Sequence, residues 1–125
     1  MTKSVLLVDD NAMIRKMLYG LFIAESDFDV CGEAENGREA IEKAQQLNPD
    51  LIIMDLSMPV MNGIDAARAL NQLMPTVPLI IFSEYGDVFP EKEARSAGIS
   101  AVVSKSEHIS ALVSKARVLL HHIAA

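Results

Sequence analysis

Short, nearly continuous apolar runs recur along this chain at Val5–Val8, Leu51–Met54, Leu79–Phe82 and Ala101–Val103. Runs of that length without polar alternation read as strands buried on both faces, the pattern of a parallel sheet covered by helices. A further stretch, Asp29–Ala34, alternates more and contains Gly32, which predicts a strand at the sheet edge. Between the runs lie amphipathic segments. Ile14, Leu18 and Leu21 share one helical face, as do Ala40, Ala44 and Leu47, and then Ala67, Leu70 and Met74. Ile109, Leu112, Val113, Ala116, Leu119, Leu120 and Ile123 keep the same spacing in a last helix. Pro90 suits a first helical position, and a shorter helix is expected from there to Ala97. Strand and helix alternate five times, which predicts a doubly wound α/β domain with right-handed crossovers.

Composition narrows what such a domain does. The chain has 125 residues, half of them hydrophobic, and no linker or repeat divides it, so residues 1–125 read as one domain with no output domain attached. A net charge of −6 gives no basic field to replace phosphate counterions, so direct nucleic-acid binding is not expected. Cys31 has no second cysteine to pair with and reads as a small buried or edge-strand side chain. No stretch approaches the roughly 20 apolar residues of a membrane span, and the expectation is a soluble, cytoplasmic protein.

The polar residues after each strand change the picture most. Asp9 and Asp10 follow the first strand, Asp55 the third, Ser83 the fourth and Lys105 the fifth. In a parallel sheet all carboxyl ends lie along one edge, where ligands bind. Three carboxylates, one hydroxyl and one ammonium are therefore delivered to a single crevice. Two carboxylates about 4 Å apart repel by about 4 kcal/mol at an effective dielectric near 20. A cation among them, or a bound proton, relieves that cost. Oxygen-only ligands favour Mg²⁺, or Mn²⁺, over Zn²⁺. A metal beside a fixed lysine and a hydroxyl suits phosphoryl transfer, which depends on positioning and charge neutralisation. A carboxylate in that setting can act as nucleophile and form an acyl phosphate.

Asp9-Asp10, the string Asp55-Leu-Ser-Met-Pro-Val-Met-Asn-Gly63, Ser83, Ala97-Gly98 and Lys105 together resemble the receiver domain of two-component response regulators, over essentially the whole chain. The segment Asp27–Ala44 is similar to receivers of LuxR-type regulators. The resemblance implies a flavodoxin-like three-layer sandwich with strand order 2-1-3-4-5. It implies that Asp55 is the phosphoacceptor, and that Asp10, Asp55 and the backbone carbonyl of Ser57 ligate Mg²⁺ with Asp9 assisting through water. Lys105 would pair with the phosphoryl oxygens and Ser83 would hydrogen-bond them. The implied partners are a sensor histidine kinase or phosphotransfer protein, with a small acyl phosphate as another donor, and a homodimer or effector on the face of helix 4, strand 5 and helix 5. The domain would catalyse only its own phosphorylation and dephosphorylation.

Three positions depart from the family pattern. Val102 stands where receivers usually carry a Tyr or Phe whose rotamer reports phosphorylation. Ser106 replaces the usual cis-proline, so that loop is either strained or rebuilt in trans. Glu84 follows Ser83 where a small residue is usual, and puts a carboxylate near an incoming donor. These departures favour a second reading, a pseudo-receiver that binds partners without being phosphorylated. A third, a Mg²⁺-dependent phosphohydrolase, would want an aspartate two residues after the nucleophile, where this chain has Ser57. Met58 and Met61 read as packing residues of a loop, and His108, His121 and His122 as surface residues.

Overall fold

The computed structural model of the protein describes residues 2–84 and 90–124. Ten elements alternate: β1 (Lys3–Val8), α1 (Ala12–Ile23), β2 (Phe28–Ala34), α2 (Gly37–Leu47), β3 (Leu51–Met54), α3 (Gly63–Leu73), β4 (Leu79–Ser83), α4 (Glu91–Ser96), β5 (Ala101–Ser104) and α5 (Ser110–Ala124). The strands form one parallel sheet in the order β2-β1-β3-β4-β5, as the resemblance implies.

Two apolar layers sandwich the sheet. On one face Val5, Leu7, Leu51, Ile53, Ile80 and Phe82 pack against α1 and α5 through Leu18, Phe22, Leu112, Val113 and Ala116. Phe22 meets Phe28 edge to face, centroids 5.0 Å apart, at the base of this layer. On the other face Leu6, Val8, Ile52, Met54, Leu79 and Ile81 meet α2, α3 and α4, whose contact residues are mainly small: Ala40, Ala44, Ala66, Ala67, Leu70, Ala94 and Ala97. The alternation of Cβ direction along each strand splits one apolar run between two layers. That is why no polar positions interrupt the runs.

Asparagine caps start the first three helices. Asn11, Asn36 and Asn62 accept backbone N–H groups of α1, α2 and α3 through their side chains. Asn11 therefore takes the capping role that Asp9 or Asp10 would otherwise serve, and both aspartates are left to the crevice.

The structure departs from the sequence expectation at β5 and at Leu47. β5 was expected to be buried on both faces, yet Ala101 and Val102 are only half-buried. β5 is the second edge strand, and the six-residue α4 is too short to cover it. Leu47 closes α2 with much of its side chain exposed. It nevertheless reaches back over β2, where a Cβ on Gly32 would meet its Cδ1 at 2.7 Å. The histidines His121 and His122 and the last apolar position of the final helix, Ile123, have side chains outside the described residues.

Candidate functional site

All six residues singled out in the sequence, Asp9, Asp10, Asp55, Ser57, Ser83 and Lys105, line one cavity of about 230 Å³ at the carboxyl edge of the sheet; Asn11 and Glu84 complete its wall. The topology explains the convergence. β1, β3 and β4 are consecutive neighbours in the sheet, so Asp9, Asp55 and Ser83 leave it side by side. Asp55 is held in register by its N–H on the Val8 carbonyl, and Lys105 by its N–H on the Ser83 carbonyl, at 2.9 and 2.8 Å.

The carboxylates differ in how they are held. Asp9 is buried, and both of its oxygens are engaged: Oδ1 accepts the Asn11 N–H at 2.9 Å and Oδ2 the Lys105 ammonium at 3.1 Å. Asp10 is exposed to the cavity mouth. Asp55 is 8% exposed; its Oδ1 accepts the Leu56 N–H at 2.9 Å and lies 3.5 Å from Lys105. One oxygen from each of the three aspartates falls within 4.8 Å of the other two.

Electrostatics follow from this geometry. Burial raises the Asp55 pKa above its ordinary value, the charge of Asp9 adds to the shift, and Lys105 opposes it. Burial on its own would lower the Lys105 pKa, but Asp9 and Asp55 outweigh it and leave the ammonium firmly charged. The Lys105 ammonium also lies over the Phe82 ring, Nζ 5.8 Å from the centroid, a further attraction holding the charge at the cavity. One ammonium cannot neutralise three carboxylates, and the donors are all oxygen. The site therefore fits a hard divalent cation.

The loop after Asp55 is tightly built. The Met61 N–H reaches the Pro59 carbonyl at 2.7 Å, a three-residue turn centred on Val60, whose φ is 69°. A β-branched residue in that region is strained. The strain is confined by two anchors. Gly63 donates to the Leu56 carbonyl at 2.8 Å and Gly37 donates to the Met61 carbonyl at 3.0 Å. Both glycines are needed sterically: a Cβ at Gly63 would press on the Asp55 carbonyl oxygen, and one at Gly37 would meet the Met61 oxygen at 2.7 Å. Met58 and Met61 pack partly buried against the adjoining core, as expected.

The departures from the pattern have structural consequences. No peptide among the described residues is cis, so the loop at Ser106 is built in trans. It is organised by the Ser104 and Ser106 hydroxyls, 2.7 Å apart, and by Glu107, whose carboxylate accepts the Ser104 N–H at 2.8 Å. Val102 borders a second cavity of about 380 Å³ beside α4 and α5. Cys31 is half-buried on the edge strand, and burial raises its thiol pKa, as suits a packing residue. His108 is exposed and pairs with Ser110 at the start of α5.

One contributor was not singled out from sequence. Arg15, one turn into α1, donates to the Asp9 carbonyl at 2.6 Å and to Glu33 of β2 at 3.0 Å. Its only sequence signal is a charged residue next to the inward-facing Ile14.

Comparison with known proteins agrees with the geometry. The family model described as the response regulator receiver domain matches residues 5–117. The chemotaxis protein CheY of Thermotoga maritima is 43% identical over 105 residues, 84% of this chain and 87% of that protein. A protein-glutamate methylesterase/protein-glutamine glutaminase of Paramagnetospirillum magneticum is 43% identical over 93% of this chain, which spans only 34% of its length. The crystal structure of the response regulator domain of Thermotoga maritima CheB superposes with a TM-score of 0.90 at 30% identity, covering 97% of this chain and 98% of that one. A LuxR-family two-component response regulator from Aurantimonas sp. also reaches 0.90, at 28% identity over 98% of this chain and 87% of that one. No helix among the described residues is long and apolar enough to cross a membrane. By sequence, sheet order and the family model together, this chain belongs to the response regulator receiver domain family.

Proposed function

We propose that the protein is a phosphorylation switch in which Asp55 accepts a phosphoryl group and the folded domain changes its affinity for partners. The observation that carries this reading is the cluster of three carboxylate oxygens within 4.8 Å of one another, two of the three carboxylates being served by the half-buried Lys105 ammonium. Receiver domains bind Mg²⁺ at such an acidic pocket. Asp10, Asp55 and the Ser57 carbonyl would hold it here, with Asp9 acting through water. What that ion supplies when bound is neutralisation of the carboxylates and of the phosphoryl oxygens.

The chain's own groups then divide the work. Oδ1 of Asp55 is fixed by the Leu56 N–H, so the other oxygen turns to the donor. That oxygen attacks phosphorus. The bond to the leaving group breaks with its electron pair going to the departing nitrogen of a phosphohistidine, or to the carboxylate oxygen of a small acyl phosphate. Lys105, already balanced between Asp9 and Asp55, shifts toward the new phosphoryl oxygens. Ser83, buried at the end of β4, supplies a hydroxyl to them. Asp9 holds Lys105 in place and takes no part as a nucleophile, because both of its oxygens are already engaged. The donors are a sensor histidine kinase or phosphotransfer protein, or a small acyl phosphate. The effector face is α4, β5 and α5, where Arg95, Val102 and Lys115 border the second cavity.

Incubation with acetyl phosphate and Mg²⁺, followed by intact-mass measurement, tests the reading. Addition of one phosphate that needs both Mg²⁺ and Asp55, and that Asp55→Asn abolishes, is the expected result. No adduct and no Mg²⁺ binding by titration overturns it in favour of the pseudo-receiver reading, which draws its support from Val102, Ser106 and Glu84, the last of them in the cavity wall. Repeated turnover of a phosphomonoester would point to a hydrolase.

A further inference from the structure

The β1–α1 turn carries two of the three clustered aspartates, yet its peptide between Asp9 and Asp10 is not part of any strand or helix. Something must fix that peptide plane, because the direction in which Asp10 leaves the chain depends on it. The Asp9 N–H is tied to the Ala34 carbonyl at 3.1 Å. The carbonyl on the far side is met by Nη1 of Arg15 at 2.6 Å, while Nε of the same guanidinium holds Oε1 of Glu33 at 3.0 Å. Arg15 is 16% exposed, so its fork is largely withdrawn from water. The Glu33 backbone, in β2, also accepts the Lys43 ammonium of α2 at its carbonyl. α1 thus meets the Asp9 carbonyl directly through Arg15, and β2 stands behind it through Glu33.

We propose that Arg15, braced by Glu33, is a positioning residue for the acidic pocket. By clamping the Asp9 carbonyl it sets the orientation of Asp10 and the fit of a divalent cation among the carboxylates. The planar fork suits this task, because one nitrogen serves the carbonyl while another serves the carboxylate in fixed relative geometry. The proposal rests on the Mg²⁺-dependent reading of the same site.

Electrostatics makes the test decisive in sign. Arg15 is a positive charge beside a proposed cation site, so as a mere charge it opposes Mg²⁺, and its removal would tighten binding. As a positioning residue it promotes Mg²⁺ binding, and its removal weakens it. Groups that orient metal ligands from outside typically contribute about 10- to 100-fold in metal affinity. The expected result for Arg15→Gln, by calorimetric titration with Mg²⁺ alone, is a Kd raised about tenfold. Arg15→Lys keeps the charge without the fork and should recover only part of that loss. Glu33→Gln, which leaves an oxygen acceptor, should weaken binding least. In parallel, hydrogen exchange read by NMR should show the Asn11 amide, which bonds Asp9 Oδ1, exchanging faster in Arg15→Gln while amides of β3 stay unchanged.

Tighter or unchanged Mg²⁺ binding in Arg15→Gln overturns the proposal, as does an unchanged Asn11 amide. If the wild type binds no Mg²⁺, the proposed function fails, and the clamp stands or falls on the exchange data alone. If Arg15→Gln does not fold, Arg15→Lys and Glu33→Gln decide: full wild-type affinity and exchange in both overturns the proposal.

Discussion

Two aspartate–cation clusters lie at opposite ends of the sheet, and they differ in what holds them. At the amino end Arg117 of α5 grips Asp27 just before β2 with two hydrogen bonds of 2.9 and 3.0 Å, and Glu25 stands 3.4 Å away. The geometry is close to ideal, but both side chains are nearly half exposed. At the carboxyl end Lys105 reaches Asp9 at 3.1 Å and Asp55 at 3.5 Å, less regular contacts between groups that are almost wholly withdrawn from water. Surface pairs contribute little because water and salt screen them. Buried charges are costly when left alone, so the looser cluster is the one on which stability depends more, and the one that the proposed chemistry uses. Good hydrogen-bond geometry marks the first cluster; unmet charge marks the second as a site.

The largest effect that would sharpen this contrast is expected from Lys105→Met. Without divalent cations, three carboxylates then face one another with no cation, and the domain should lose about 3 kcal/mol in urea denaturation. Mg²⁺ should restore part of it. A loss no larger than that of a surface substitution would mean that the inner cluster contributes no more than the exposed one. Asp55→Asn should act in the opposite direction. It removes a charge held against Asp9, and in metal-free buffer it should stabilise the domain by about 1 kcal/mol, part of the repulsion being offset by the weakened pairing with Lys105. Destabilisation by this variant would show that Lys105 more than compensates both carboxylates.

The two ends should also respond oppositely to pH. Folding raises the Asp55 pKa, so the folded state binds its proton more tightly, and this group favours folding most below its ordinary value of 3.8. That contribution is lost as pH rises through the raised value. The advantage of Asp55→Asn over wild type should therefore be full at neutral pH and shrink as pH falls toward 3.8. The Asp27 pKa is lowered instead, chiefly by its hydrogen bonds with Arg117. Its contribution is present above 3.8 and fades as pH falls through the lowered value. Thermal melts of wild type, Asp55→Asn and Asp27→Asn across pH 3–7 would separate the two. The smallest effect is expected from Arg117→Ala: a slight drop in Tm at low salt that disappears near about 1 M salt, where the screening length falls to about 3 Å. A salt-independent drop would mean that the close stacking of the Arg117 guanidinium over the Phe28 ring, its carbon 5.8 Å from the centroid, matters more than the screened pairing with Asp27 and Glu25.

Much of the site was legible in the chain. Apolar runs ending in Asp9, Asp55 and Ser83 locate them at one sheet edge, because parallel strands point the same way. Lys105, which alone would read as a solvated surface lysine, acquires meaning only from that shared edge. The division of labour among the aspartates was less visible. That Asp9 is enclosed and doubly engaged while Asp10 opens to the cavity depends on Asn11 taking the cap and on Lys105 arriving from a segment 96 residues away. Arg15 was missed because its partners, a backbone carbonyl and Glu33 on a neighbouring strand, leave no local pattern. β5 read as a buried run for a similar reason: whether a hydrophobic strand is covered depends on the length of the helix beside it.

By itself the sequence determined the alternation of strands and helices, the parallel sheet, and which strand ends bear carboxylate, hydroxyl and ammonium. These follow from local periodicity and from the rule that connected parallel strands share a direction. Only the tertiary structure decided which charges are buried, which are compensated and which are left for a ligand. Burial and distance are properties of segments far apart in the chain, and in a low-dielectric interior a few ångströms separate a satisfied carboxylate from one that calls for a cation.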